Sequence, residues 1–226
     1  MLLMWLMACT GAPETQDTDP VRDGLLFRLP LSRPDDISGL VGVDHDPEVH
    51  DDSVLGGAIC TTYDDRGFPS CYDEHDGNDY LLDGGFDAMD AGSTPIVAAA
   101  DGVVVETEDG HYDRCRPVNG EVDCNGGPLF ANYVIVEHED GVRTKYWHMM
   151  SGSVAVALGD AVRCGDQLGI VGSSGISSTP HLHFEVQAAN GSVIDPYAGP
   201  LSQERSWWVE QGDDWEDLPL DRCQTR

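Results

Sequence analysis

Three short stretches of the chain concentrate the residue types that hold metal ions or move protons. They are His75-Asp76-Gly77-Asn78-Asp79, Thr144-Lys145-Tyr146-Trp147-His148 and His181-Leu182-His183-Phe184-Glu185. In a β-strand the side chains at i and i+2 share a face. His181 and His183 therefore point the same way, with Leu182 and Phe184 on the opposite, core-facing side, and alternation adds Glu185 to the histidine face. Two imidazoles on one face make a metal-binding or acid/base pair, or else surface histidines or core histidines satisfied by backbone. The same period places Val142, Thr144, Tyr146 and His148 on one face and Arg143, Lys145 and Trp147 on the other. That strand is expected to deliver one histidine to the same groove. In the first stretch His75 and Asp79 flank a glycine, as in a loop or short turn that brings imidazole and carboxylate together. The alternative is one more pair in an aspartate-rich loop.

The elements that must position these groups read as strands. Ile96–Ala100 is an apolar run, Asp101-Gly102 a turn signal, and Val103–Thr107 a β-branched segment. Residues 110–129 read as a surface loop bracketed by two cysteines. Asn132–His138 and Val142–His148 read as strands joined by a hairpin turn at Glu139-Asp140-Gly141. Further strands are expected at Ala161–Cys164, Gln167–Val171 and His181–Gln187. Short strands between Gly-Asp and Asp-Gly turns imply an antiparallel sheet rather than βαβ units. The tail from Ser202, with Trp207, Trp208 and Trp215, is expected to form a short helix packed on the sheet.

Composition sets the limits. The 226 residues suffice for one domain plus extensions, and 26 glycines and 13 prolines favour a turn-rich sheet over a helix bundle. Forty-one acids against 12 bases give a net charge of −29, which repels phosphate backbones and argues against a nucleic-acid partner. The only lysine is Lys145. Residues 14–52 hold eleven acids and three bases without a clear period, so this stretch is expected to wrap the domain or stay loose.

Seven cysteines are present: Cys9, Cys60, Cys71, Cys115, Cys124, Cys164 and Cys223. Met1–Ala8 is almost wholly apolar, and Leu6-Met7-Ala8-Cys9 resembles the lipobox of bacterial lipoproteins, followed by a small, polar tether. A lipid-bearing Cys9 leaves six cysteines, an even number that permits fifteen pairings. Proximity suggests Cys60–Cys71 and Cys115–Cys124, and elimination then leaves Cys164–Cys223. No CxxC pair occurs, which argues against a thiolate zinc cluster.

Together the clusters resemble the M23 family of zinc endopeptidases, the lysostaphin-like and LytM-like enzymes. The family pattern is met by His75–Asp79 for H-x-G-x-D and by Gly92–Gly102 for the Gly-Thr-Pro strand. Thr144–His148 meets T-x-Y-x-H, Gly165–Gly175 the glycine repeat, and Pro180–Glu185 P-H-L-H-F-E. The match runs over residues 72–198 in the family's order. A long interval from Asp79 to Gly92, the excursion between Cys115 and Cys124, Ser93, Thr179 and Met149 depart from the pattern, none at a ligand position.

The resemblance implies a mainly β fold, an antiparallel sheet forming an open groove, with a loop-rich N-terminal extension and a short C-terminal tail. It implies one zinc ion per chain held by His75, Asp79 and His183, with His148 and His181 as unligated catalytic histidines. One of these would accept the proton of a zinc-bound water, the other would stabilise the oxyanion or protonate the leaving amine. The implied substrate is the peptide part of bacterial peptidoglycan; a non-catalytic wall-binding or hydrolase-regulating module is the alternative. The expected layout is signal and linker over 1–24, acidic extension over 25–71, peptidase domain over 72–200 and tail over 201–226. The expected protein is an exported monomer, attached to membrane only through its lipid or else secreted. The acidic extension also presents Asp44, His45, Asp46 and His50 as groups that would block the zinc if they reached it.

Overall fold

Segments of alternating and β-branched residues carry most of the regular structure. The computed structural model of the chain describes residues 24–45, 71–92, 94–199, 202–212 and 217–225. In chain order, β1 (Ile37–Val41) and β2 (Asn78–Leu82) precede a short helix, α1 (Gly85–Asp90). Then follow β3 (Pro95–Val97), β4 (Gly102–Glu108), β5 (Arg116–Val118), β6 (Glu121–Asp123), β7 (Tyr133–Glu137) and β8 (Arg143–Trp147). The last four are β9 (Ala161–Val162), β10 (Gln167–Ile170), β11 (His181–Gln187) and β12 (Val193–Ile194). One eight-stranded antiparallel sheet runs β1-β2-β11-β8-β7-β4-β9, with β12 also paired to β11. Among the described residues no helix is long and apolar enough to cross a membrane.

The mainly β, antiparallel expectation holds, and β11 lies where its period-2 pattern puts it. Leu182, Phe184 and Val186 are fully buried in the core, and Phe184 packs on Tyr146 and Trp208. The hairpin between β7 and β8 turns at Asp140 and Gly141, both left-handed.

Four expectations need correction. The acidic stretch is not merely a wrap: β1 pairs with β2 as an edge strand of the main sheet, and Phe27, Leu29 and Leu31 are fully buried. Those three follow a period of two that the surrounding charges obscured. Residues 110–129 are not all loop. β5 and β6 form a hairpin whose turn is Asn119-Gly120, both at positive φ, the pair that suits a tight hairpin best. The tail has no helix among its described residues. Instead a bent segment bridges to Phe27, with Phe27 N–H bonded to Trp207 O and Val209 N–H to Phe27 O, so that Trp207 and Trp208 fill the core. Two adjacent indoles reach one core because the backbone bends at Trp207 and Val209 instead of alternating as a regular strand would. Finally, β2 and α1 were not foreseen at all, because Asn78-Asp79 and the glycines of 84–85 hide an otherwise apolar Tyr80-Leu81-Leu82.

Cys115 is bonded to Cys124 and Cys164 to Cys223. Cys71 is also disulfide-bonded, while Cys60, its expected partner, and Cys9 and Trp215 lie outside the described residues.

A buried polar chain anchors β8. Ala99 N–H donates to Tyr146 Oη at 2.8 Å, Tyr146 Oη and Thr144 Oγ1 are 2.9 Å apart, and Thr144 Oγ1 is 2.8 Å from His138 Nε2. His138 Nδ1 donates to Asp101 O. Burial lowers the proton affinity of His138, and a neutral ring with Nδ1–H satisfies every member of the chain. Tyr146→Phe removes the middle link and strands the Ala99 N–H. It should destabilise the fold by about 1–3 kcal/mol in denaturant unfolding, and an unchanged midpoint would show that the chain is not cooperative.

Candidate active site

The register of the sheet brings two of the motif residues together before any side chain is considered. His183 on β11 lies directly opposite Asp79 on β2 and, on its other side, opposite Trp147 on β8. His75 reaches the same place by a turn. Its N–H bonds to Tyr72 O, and Glu74 within that turn is left-handed at φ 61°. The result is a tight triad. His75 Nε2 lies 3.1 Å from Asp79 Oδ1 and 3.2 Å from His183 Nδ1, and His183 Nδ1 lies 2.9 Å from Asp79 Oδ1.

These atoms fit a metal. His75 Nδ1 donates to Gly42 O at 2.5 Å, which leaves Nε2 with a lone pair aimed at the other two donors. Ligands bound tetrahedrally at the zinc–nitrogen distance would stand about 3.3 Å apart, close to the spacing seen. Two imidazole nitrogens and one carboxylate oxygen are also a donor set that zinc accepts, with a fourth position left over. Electrostatics agree. Burial opposes charge on His75 and Asp79, but Asp79 raises the proton affinity of His75. Against the same burial, His75, His181 and His183 hold Asp79 well below the usual carboxylate range. The pocket thus calls for a positive charge among these atoms.

His148 and His181 stand beside the triad with ring centroids 4.5 Å apart. Each has its Nδ1–H committed to a backbone carbonyl: His148 to Ser174 O at 2.6 Å and His181 to Thr179 O at 2.7 Å. Burial first, then the neighbouring histidines, pushes His148 well below the ordinary histidine range; burial likewise lowers His181. Both rings are therefore neutral, with Nε2 able to take a proton.

His148 does not reach the groove by strand alternation. Thr144 and Tyr146 face the core, whereas Lys145 and Trp147 line the cleft. Alternation would send residue 148 to the core. The strand ends at Trp147, and a left-handed backbone at His148, φ 65°, turns the side chain into the cleft. Such a conformation is uncommon for a residue other than glycine and marks strain stored at a working site.

The cleft has a volume of about 740 Å³, and Tyr72, Phe130, Trp147 and Ile176 line it beside His75, His148 and His183. Glu185 sits on the groove face as expected, ion-paired to Lys145 at 3.0 Å, with Oε2 4.0 Å from His183 Nε2. His45 and His111 are partly buried. His45 Nε2 lies 3.0 Å from Asp195 Oδ2, and His111 lines the cleft against Phe130. Neither Asp44 nor His45 is part of the triad; Asp46 and His50 lie outside the described residues. Tyr72 was missed by sequence reasoning. It stacks on His75 at 4.1 Å, and its hydroxyl is 3.4 Å from Asp79 Oδ2. No local period marks it.

Gly77 shows why a glycine separates the first two motif residues. A Cβ there would lie 2.7 Å from both Cε1 and Nε2 of His183 and 2.8 Å from Phe184 O. Gly77→Ala must displace the His183 ring, and zinc affinity measured by chelator competition should fall by about 10–100-fold. Wild-type affinity would mean that the ring has room to move.

A sequence model of peptidase family M23 matches residues 82–196, just over half of the chain. The match includes His148, His181 and His183 and leaves His75 and Asp79 outside. The DD-carboxypeptidase/endopeptidase Mpg of Neisseria meningitidis serogroup B is 35% identical over 122 residues, 54% of this chain and 24% of the relative. The peptidoglycan DD-endopeptidase ShyA of Vibrio cholerae serotype O1 is 30% identical over 112 residues, 50% of this chain and 20% of the relative. The chain thus spans less than a quarter of the length of these curated relatives. Among solved structures, a chain of the SpoIIQ–SpoIIIAH pore-forming complex shares the fold with a TM-score of 0.50. It is 21% identical, and the match covers 76% of this chain and 89% of that one.

Proposed function

The chain belongs to peptidase family M23, and from that membership we propose that it is a zinc-dependent endopeptidase hydrolysing peptide cross-links of bacterial peptidoglycan. The observation that carries the reading is the convergence of His75 Nε2, Asp79 Oδ1 and His183 Nδ1 within 3.2 Å of one another beside two neutral, oriented histidines. The name of the Vibrio cholerae relative, a peptidoglycan DD-endopeptidase, supports the substrate class.

His75, Asp79 and His183 would hold one zinc ion. Zinc, when bound, supplies a Lewis acid that polarises the scissile carbonyl and acidifies a water. The chain's own residues do the rest. Ser174 O and Thr179 O fix the Nδ1–H tautomers of His148 and His181, so each presents Nε2 to the reacting groups. Either ring can take the proton of the attacking water at Nε2, and the ring that has taken it becomes an Nε2–H donor that can pass the same proton on to the leaving amine. The buried surroundings keep both neutral until the reaction supplies the proton. Lys145, the only lysine, pairs with Glu185, whose other oxygen lies 4.0 Å from His183 Nε2, and so offsets a carboxylate beside the triad.

Export completes the reading. The apolar Met1–Ala8 followed by Cys9 supports lipid attachment in the cell envelope, and the bonded cysteines suit an oxidising compartment. Acyl chains on Cys9, read by mass spectrometry of the exported protein, are the expected signature; an unmodified cysteine would remove this part.

The test of the activity is digestion of purified peptidoglycan. New amine termini within the cross-links should appear with zinc-loaded protein, vanish with a chelator and return with added zinc. Intact cross-links under zinc-loaded protein would overturn the assignment.

A further inference from the structure

The acidic stretch ahead of the motif region touches the site at one place. Gly42 O accepts the Nδ1–H of His75, Asp44 N–H donates to His75 O at 2.8 Å, and Asp44 Oδ2 accepts the N–H of Glu74 at 3.0 Å. Gly42 and Val43 are buried, and the preceding residue, Val41, is paired with Asp79 in the sheet. Three hydrogen bonds, one from Gly42 and two from Asp44, therefore grip the turn that carries His75, while β1 pairs with the strand that carries Asp79.

The grip has a specific object. Glu74 occupies a left-handed conformation, φ 61°, that a glutamate disfavours and a glycine accepts. The turn Tyr72–His75 needs that conformation at its third residue, and without it His75 does not face Asp79 and His183. Asp44 holds the N–H of the strained residue and the carbonyl of the next one, so its carboxylate and its backbone fix the peptides on either side of the Glu74–His75 pair. Gly42 then sets the imidazole itself by consuming Nδ1–H.

We propose that Asp44 is a positioning residue of the metal centre: it clamps Glu74 in its left-handed turn, so that the Gly42–Asp44 segment holds His75 in ligating orientation. This rests on the zinc reading of the triad given above. It gives the acidic extension a supporting role at the site, opposite in sign to an inhibitory one. It also places part of the site's framework before residue 82, where the family match begins.

The test is zinc affinity of the full chain by chelator competition, for wild type, Asp44→Ala, Asp44→Asn and the pair Asp44→Ala with Glu74→Gly. Partners that orient a metal ligand are worth about 10–100-fold in affinity, and Asp44→Ala should weaken zinc by about tenfold or more. Asp44→Asn keeps an acceptor oxygen and should stay within about threefold of wild type on the same scale. Glu74→Gly removes the strain that the clamp holds and should recover most of the loss in the pair. A general loss of folding would not be recovered by a glycine at that position. Wild-type affinity in Asp44→Ala, or no recovery in the pair, would overturn the positioning role and leave the triad's zinc reading standing. A wild type that binds no zinc would overturn both.

Discussion

His183→Ala is expected to give a folded protein that no longer retains zinc. The substitution deletes Nδ1, one of three donor atoms that lie within 3.2 Å of one another, and leaves an imidazole and a carboxylate that then pair with each other. The fold should survive, because β11 holds the core through Leu182, Phe184 and Val186 on its other face, and His183 faces the cleft. Elemental analysis after dialysis is the measurement. Wild type should carry about one zinc per chain, as a three-ligand catalytic site does, and the variant close to none. Peptidase activity should fall with the metal, while the metal-free wild type and the variant should melt alike. A well-folded wild type without zinc would sink the metallopeptidase reading and make a non-catalytic wall-binding module the leading idea.

His148→Asn should separate chemistry from metal binding. Asparagine tolerates the left-handed backbone that His148 adopts at φ 65°, and its amide still donates a hydrogen bond to Ser174 O. It has no lone pair able to take a proton at neutral pH. Zinc content should therefore stay at the wild-type level, while kcat drops by about 10²–10⁴-fold, the usual worth of a positioned acid or base. The same experiment on His181 decides how the two share the work. Loss of zinc in either variant would assign that histidine to the metal; an unchanged kcat would remove His148 from the proton path.

The two experiments probe groups that came together by different routes, and the routes differ in how visible they are along the chain. The pairing of His181 with His183 on one face, and of Leu182 with Phe184 on the other, needs only the two-residue period of a strand. The antiparallel sheet was visible in its turn residues, such as Asp140-Gly141 between β7 and β8. His75 and Asp79 were visible as a motif, yet nothing local states that the segment is half turn and half strand. His148 was placed in the cleft for a reason that fails: its strand stops one residue earlier, and a strained backbone does what alternation cannot. Asn119-Gly120 was a readable hairpin signal that the surrounding polar composition outweighed.

The sequence by itself determined the sheet class, the face each residue of β11 presents and the order of the groups that belong to the site. These follow from short-range rules: strand period, turn residues and motif spacing act over a few residues, so they survive without a partner. The tertiary structure decided the rest. Asp79 meets His183 through cross-strand register over more than a hundred residues of chain. Trp207 and Trp208 enter the core on a bent segment because Phe27 offers its backbone to it. An acidic stretch that looked loose supplies an edge strand and, through Gly42 and Asp44, partners for His75. Each of these depends on a hydrogen-bond or packing partner that is distant in sequence. Local propensity holds no record of such a partner, and only the folded chain brings it within reach.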